Sequence, residues 1–246
     1  MDGRQGSPII DRLHTNFVPA IIALSKIEQV RQAILSEVVS GRMKAGQRLL
    51  EAKLARELGV SQATVNAALQ DLHNQGLVTK LLNRSTTVNH YTRAGIEKLF
   101  AVRVVLESAA ASAAAACWRA EGQARLRGQV EMMRRAARAK DLSRFCLADY
   151  AFHQELYRLS DNSFLIQACQ AIAVAPFAYI LCDGLHTLPA DYLALAEDHQ
   201  DMILAMKEGP ETAAQVTRKR IEDWLNYSLR ALQSASSNGG GVAHRA

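Results

Sequence analysis

Residues 51–78 read EAKLARELGVSQATVNAALQDLHNQGLV, and this stretch decides the architecture of the first third of the chain. Leu54, Ala55 and Leu58 recur at helical spacing and stop at Gly59, which suits the left-handed position that ends a helix and turns the chain. Ser61 is a good N-cap for a second helix. Its inner face carries Val65, Ala68, Leu69 and Leu72, and Gly76 stops it.

Upstream, Ile27, Val30, Ile34, Leu35 and Val38 give a helix from Lys26 to Gly41, followed by a turn at Lys44-Ala45-Gly46. Downstream, Leu77-Val78-Thr79-Lys80 and Thr86-Thr87-Val88-Asn89 read as a short two-stranded ribbon joined by Leu81 to Ser85. Helix, short helix, tight turn, helix and ribbon is the element order of a winged helix-turn-helix, in which the helix after the turn enters the major groove of DNA. Its leading residues here are Ser61, Gln62, Ala63, Thr64 and Asn66, all short or polar enough to approach base edges. A solvated helix end would present the same residues, so charge has to arbitrate. Residues 25–91 hold nine Lys/Arg against five Asp/Glu, whereas 92–234 hold 17 of each. The excess of the whole chain, formally +5, therefore sits on the segment that needs it to meet a polyanion. Arg48, Lys53, Arg84 and Ser85 complete the expected DNA-binding set.

Beyond Thr92 the strand signals end. Helices are expected over roughly 94–119, 121–140, 142–160, 162–183, 190–208 and 211–234, with Asp141 and Asp161 as N-caps and a break at Gly122. The expected fold is mostly α: a mobile arm over 1–24, a winged helix-turn-helix over 25–91, an all-α antiparallel helical bundle over 92–234 and a disordered Ser/Gly tail over 235–246. Leu165 to Cys182 carries no charge, yet Gln167, Gln170, Pro176 and its alanines make it a buried, kinked helix rather than a membrane span. Four scattered cysteines without a C-x-x-C pair argue against a disulfide framework or a zinc ribbon. The first residues contain no apolar block long enough for a signal peptide.

The runs Gly41 to Leu49, Glu51 to Ser61, Val65 to Leu72 and Gln75 to Val78 resemble the GntR family of bacterial transcription regulators. Arg103-Val-Val-Leu-Glu107, Asp149-x-x-x-His153, Ser160-x-Asn162 and His199, followed by Ile203 and Gly209, resemble the FCD effector domain of its FadR-type branch. The resemblance covers about 25 to 234. Departures fall on the recognition helix: Gln62 and Asn66 stand where the family carries arginines, and Thr64 where it carries a proline. Arginine reads guanine, whereas Gln and Asn prefer adenine. Ser85 replaces the wing glycine.

Asp149 and His153 lie four apart on one helix face, a pair that by itself fits a surface or capping role better than a ligand site. The resemblance reverses that reading, since these positions and His199 match the family's ligands for a divalent transition metal, here zinc, with nickel or manganese as alternatives. The family's fourth ligand, a histidine on the last helix, is absent, and Arg220 or Ile221 holds its place. Three ligands leave positions open for water or an anionic effector; alternatively Arg220 supplants the metal and pairs with Asp149 or with the effector. Arg103 is a second candidate for the effector's carboxylate, with an ion pair to Glu107 as the competing role, and Asn162 joins the expected effector set. The whole points to a cytoplasmic homodimeric transcription regulator, expected to be a repressor, that binds double-stranded operator DNA, is controlled by a small organic acid, touches no membrane and is not an enzyme. The competing readings are a DNA-binding protein with a decayed or acyl-coenzyme A type, metal-free pocket, and a metal hydrolase using Asp149, His153 and His199.

Overall fold

The computed structural model describes residues 25–80, 85–172 and 190–238, with side chains through residue 233. The expectations for the arm at 1–24, for Arg84, and for the kinked run beyond Ile172 lie outside the described residues. The chain divides between His90 and Tyr91 into two compact units.

In the first unit, α1 (Lys26–Val39) packs on α3 (Gln62–Asn74), and α2 (Glu51–Leu58) packs on α3 as well. Their inner faces fill one core: Val30, Ile34, Leu35 and Val38 from α1, Leu54 and Leu58 from α2, and Val65, Leu69 and Leu72 from α3. Gly59 closes α2 at φ 65°, and Ser61 caps α3 by accepting the Thr64 N–H at 3.1 Å. The wing holds one strand more than the sequence pattern shows. β1 (Arg48–Leu49) pairs antiparallel with β3 (Thr86–Val88), which pairs antiparallel with β2 (Val78–Lys80), so the order is β1-β3-β2. Two residues are too few for a visible alternation, but Leu49 is buried and Arg48 exposed, as a strand at a sheet edge requires.

The second unit is helical among the described residues: α4 (Arg93–Ala116), α5 (Ala120–Arg138), α6 (Leu142–Leu159), α7 (Ser163–Ala171), α8 (Tyr192–Glu208) and α9 (Pro210–Asn238). α4 is packed by α6, α7, α8 and α9, and α5 lies against α6 and α8. The alanine-rich half of α4 buries Ala110, Ala111 and Ala114, side chains small enough to let neighbouring helices approach closely.

Four boundaries differ from the sequence reading. Gly122 does not break the chain but lies buried inside α5, where a Cβ would run into Leu159; its missing side chain admits α6. Asp161 is not a cap. It takes φ 52° past the end of α6, and Asn162 caps α7 instead. α9 continues through Asn238, four residues into the expected disordered tail. α7 ends at Ala171.

Candidate functional site

Asp149 and His153 stand one turn apart on the buried face of α6, because Phe145, Cys146, Phe152 and Leu156 turn that face into the bundle. His199 reaches them from α8, and the three side chains place potential ligand atoms within 4.8 Å of one another. His199 donates from Nδ1 to the Leu195 carbonyl at 2.9 Å, which leaves Nε2 to meet Asp149 Oδ1 at 2.8 Å. This backbone anchor fixes the tautomer in which Nε2 can ligate a metal. Burial opposes charge on His199, but the Asp149 carboxylate and the Leu195 carbonyl outweigh it and raise its pKa above the ordinary value.

The other carboxylate oxygen of Asp149 is buried and meets no hydrogen-bond donor among the described residues. A buried carboxylate oxygen without a donor, next to two imidazoles, is a donor set that suits a divalent transition metal. The residues present therefore fit such an ion.

A second buried layer lies behind this cluster. Arg103 on α4 donates Nε–H to Glu107 Oε1 at 2.5 Å, and its guanidinium stacks 4.9 Å over the Phe100 ring. The other Glu107 oxygen lies 2.7 Å from His153 Nδ1. Burial pushes the Glu107 carboxyl up, yet Arg103 and His153 overcome it and hold the pKa at about 2, so this buried group stays ionised. The i,i+4 ion pair, left open by the sequence, is thus what Arg103 makes.

Arg220 departs from expectation. It does not meet Asp149 but pairs with Asp198 at 2.7 Å and Asp201 at 3.4 Å, because it lies across from the outer side of α8. Arg220 and the buried Ile221 both line a small cavity with Arg103, His153, Asp198, His199, Met202 and Trp224, with room for about one water molecule at 10 Å³. Asn162 does not line it; its side chain is used up capping α7, accepting from Phe164 N and Leu165 N at 3.1 Å each. Sequence reasoning missed Asp198, Met202 and Trp224. Helical spacing was the available signal, since 198 and 202, like 220 and 224, are one turn apart.

In the first unit, Gln62 and Ala63 are exposed on the first turn of α3. Thr64 gives its hydroxyl to a 2.8 Å contact with the Ser61 side chain, and Asn66 turns toward α2. Arg48 is exposed on β1, Ser85 is half-buried before β3, and Lys53 is exposed with a loose 3.8 Å pairing to Glu57.

Comparison with known proteins agrees with both units. Residues 26–88 match the family described as bacterial regulatory proteins, gntR family, and residues 98–223 match the FCD domain. The chain is 28% identical over 213 residues to the "Probable D-xylose utilization operon transcriptional repressor" of Paenarthrobacter nicotinovorans, covering 86% of this chain and 90% of that one. It is 25% identical over 173 residues to the "Gluconate operon transcriptional repressor" of Bacillus licheniformis, covering 69% and 71%. The fold matches the structure of E. coli McbR/YncC with a TM-score of 0.73 at 19% identity, over 85% of this chain and 100% of that one. It also matches a GntR family member from Pseudomonas syringae pv. tomato with a TM-score of 0.53 at 18% identity, over 94% and 95%. With a winged helix-turn-helix ahead of an FCD effector-binding domain, the chain belongs to the GntR family and is a ligand-responsive, DNA-binding transcription regulator.

Proposed function

We propose that this regulator is a cytoplasmic, homodimeric repressor whose FCD domain holds a divalent metal and, on it, the carboxylate of a small organic acid. The buried Asp149–His153–His199 cluster carries the reading. Without metal, the Asp149 carboxylate favours the protonated, cationic form of His199. Exchanging that proton for a divalent ion adds one positive charge to the site, so an anion becomes welcome where Asp149 alone would repel it. The metal supplies a Lewis-acidic anchor for a carboxylate. Asp149, His153 and His199 hold the metal, and the Leu195 carbonyl orients the His199 ring.

The cavity holds about one water, so a sugar acid or hydroxy acid enters only if its walls move. The Arg220–Asp198 pair forms one of those walls. An incoming carboxylate competes with Asp198 for the Arg220 guanidinium, whose planar fork grips carboxylates through two charge-assisted bonds. Moving Arg220 moves α9, which lies along α4. The relatives named for xylose and gluconate operons support repression tied to a sugar-derived ligand.

DNA reading falls to the exposed start of α3, chiefly Gln62 and Asn66, with Ser61, Ala63 and Thr64 beside them and Arg48, Lys53, Arg84 and Ser85 near the phosphates. One such helix covers too few base pairs for a specific site, so a second copy on a palindrome is required.

Elemental analysis of the purified protein tests the metal. About one zinc, nickel or manganese ion per subunit is expected, with affinity falling as pH drops through the histidine range. Calorimetric titration with sugar acids and hydroxy acids, before and after chelation, tests the effector. Binding that survives chelation, or tight binding of an acyl-coenzyme A instead, overturns the metal-anchored reading.

A further inference from the structure

The side chain of Asn66 is held in one orientation. Its Nδ2 donates to both carboxylate oxygens of Glu51, at 3.1 and 3.2 Å. Glu51 opens α2, and its Oε1 also meets Lys80 Nζ of β2 at 3.3 Å. One carboxylate thereby ties together the two helices of the helix-turn-helix and the first strand of the ribbon. Each contact at the surface is weak on its own, but a carboxylate with several partners orders its neighbours at a shared entropic cost.

This arrangement changes what Asn66 can read. An unrestrained asparagine offers a donor and an acceptor side by side and pairs bidentately with adenine N6 and N7. Here the carboxylate attracts the amide nitrogen and repels the amide oxygen, so Nδ2 is drawn back toward α2 and Oδ1 is turned away from it. The outward group is an acceptor. In the major groove an acceptor matches an exocyclic amine, which adenine presents at N6 and cytosine at N4. Glu51 beside DNA would also repel phosphates, and Lys80 offsets that charge.

We propose that Glu51 is a positioning residue for base recognition: it orients Asn66 as an acceptor, so that one position of each operator half-site accepts adenine or cytosine. This inference rests on the reading of Asn66 as a base-contacting residue.

Selection of operators from random duplex DNA, using the full-length protein, tests it. The wild type should enrich adenine and cytosine comparably at one position per half-site. Glu51→Ala releases the amide, and that position should narrow to adenine by about tenfold, the scale of one bidentate pair. Glu51→Gln keeps an acceptor for Nδ2 and should retain the wild-type pattern. Lys80→Ala leaves Asn66 on Glu51 and should keep the base preference while weakening binding to every sequence. Asn66→Ala should erase the preference at that position. Identical selection by wild type and Glu51→Ala, with Asn66→Ala still altering the site, overturns the role of Glu51 alone. An Asn66→Ala variant that selects as the wild type overturns the base-reading role of Asn66 itself.

Discussion

Glu107 is wholly buried yet ionised, held between the Arg103 guanidinium and the His153 ring. Removing one partner of a buried pair strands the other, so Glu107→Gln should destabilise the domain by about 3–5 kcal/mol, measured by urea unfolding. Replacing Arg103 and Glu107 together with apolar residues should cost less than the two single changes added. The pKa of Glu107 is depressed from 4.5 to about 2, so its contribution is present above the unfolded value and lost as pH falls between them. The stability gap between wild type and Glu107→Gln should therefore shrink on acidification from about pH 5 to about pH 2. His199 works in the opposite sense. Its pKa is raised above 6.5, so its bond to Asp149 contributes fully below that value and is lost as pH rises through the folded pKa. Chelator-treated protein should lose stability on the alkaline side, and Asp149→Asn should remove that slope. A flat alkaline limb in the wild type would show that the imidazolium pair contributes nothing.

At the scale of elements, the turn between α2 and α3 sets the angle at which the recognition helix is presented. Gly59 takes φ 65° with no atom within 4 Å of where a Cβ would stand, so a substitution there meets strain but no clash. Gly59→Ala should cost about 1–2 kcal/mol, the penalty of the left-handed conformation. Ser61→Ala removes the bond to Thr64 N and should cost about 1 kcal/mol, whereas Ser61→Gly should cost only a few tenths. Thermal melts followed by circular dichroism check both. Much of this was legible in advance, because Gly59, Ser61, Asp141 and the apolar period are local signals that act within a turn of the helix. β1 was not, since its two residues become a strand only by pairing with β3 across a long separation in sequence, at Arg48↔Thr87 and Leu49↔Thr86.

For the whole molecule, the question is what covers α4. It is long and apolar enough to cross a membrane by composition, with less than half of its most apolar stretch buried. Yet its centre carries the buried Arg103–Glu107 pair, and α6, α7, α8 and α9 pack around it, as around a core helix. The uncovered part includes Val102 at 44% exposure and Val105 at 62%, one turn apart along with the exposed Ala101 and Ala109. Under the homodimer reading this stripe is the seam for the second copy, since a two-fold axis lets one apolar face cover itself. Sedimentation of the wild type should then show a dimer. Val102→Glu with Val105→Glu should sediment as a monomer that keeps its metal-dependent thermal shift but loses tight operator binding. A double variant that stays dimeric would place the seam elsewhere.

Apart from β1, the sequence alone determined the order and kind of the elements and the family to which they belong, because periodicity, caps and glycines act over a few residues and need no knowledge of packing. It also marked Asp149 and His153 as sharing a face, since four residues make one turn. Only the tertiary structure decided the partners. Glu107 backs His153 from another helix, Arg220 turns to Asp198 rather than to Asp149, and Asn66 is held by Glu51. The physical reason is that a charged side chain takes the nearest opposite charge that packing brings to it. That distance is set by how the apolar faces of separate helices close on one another, not by the local code that makes each helix.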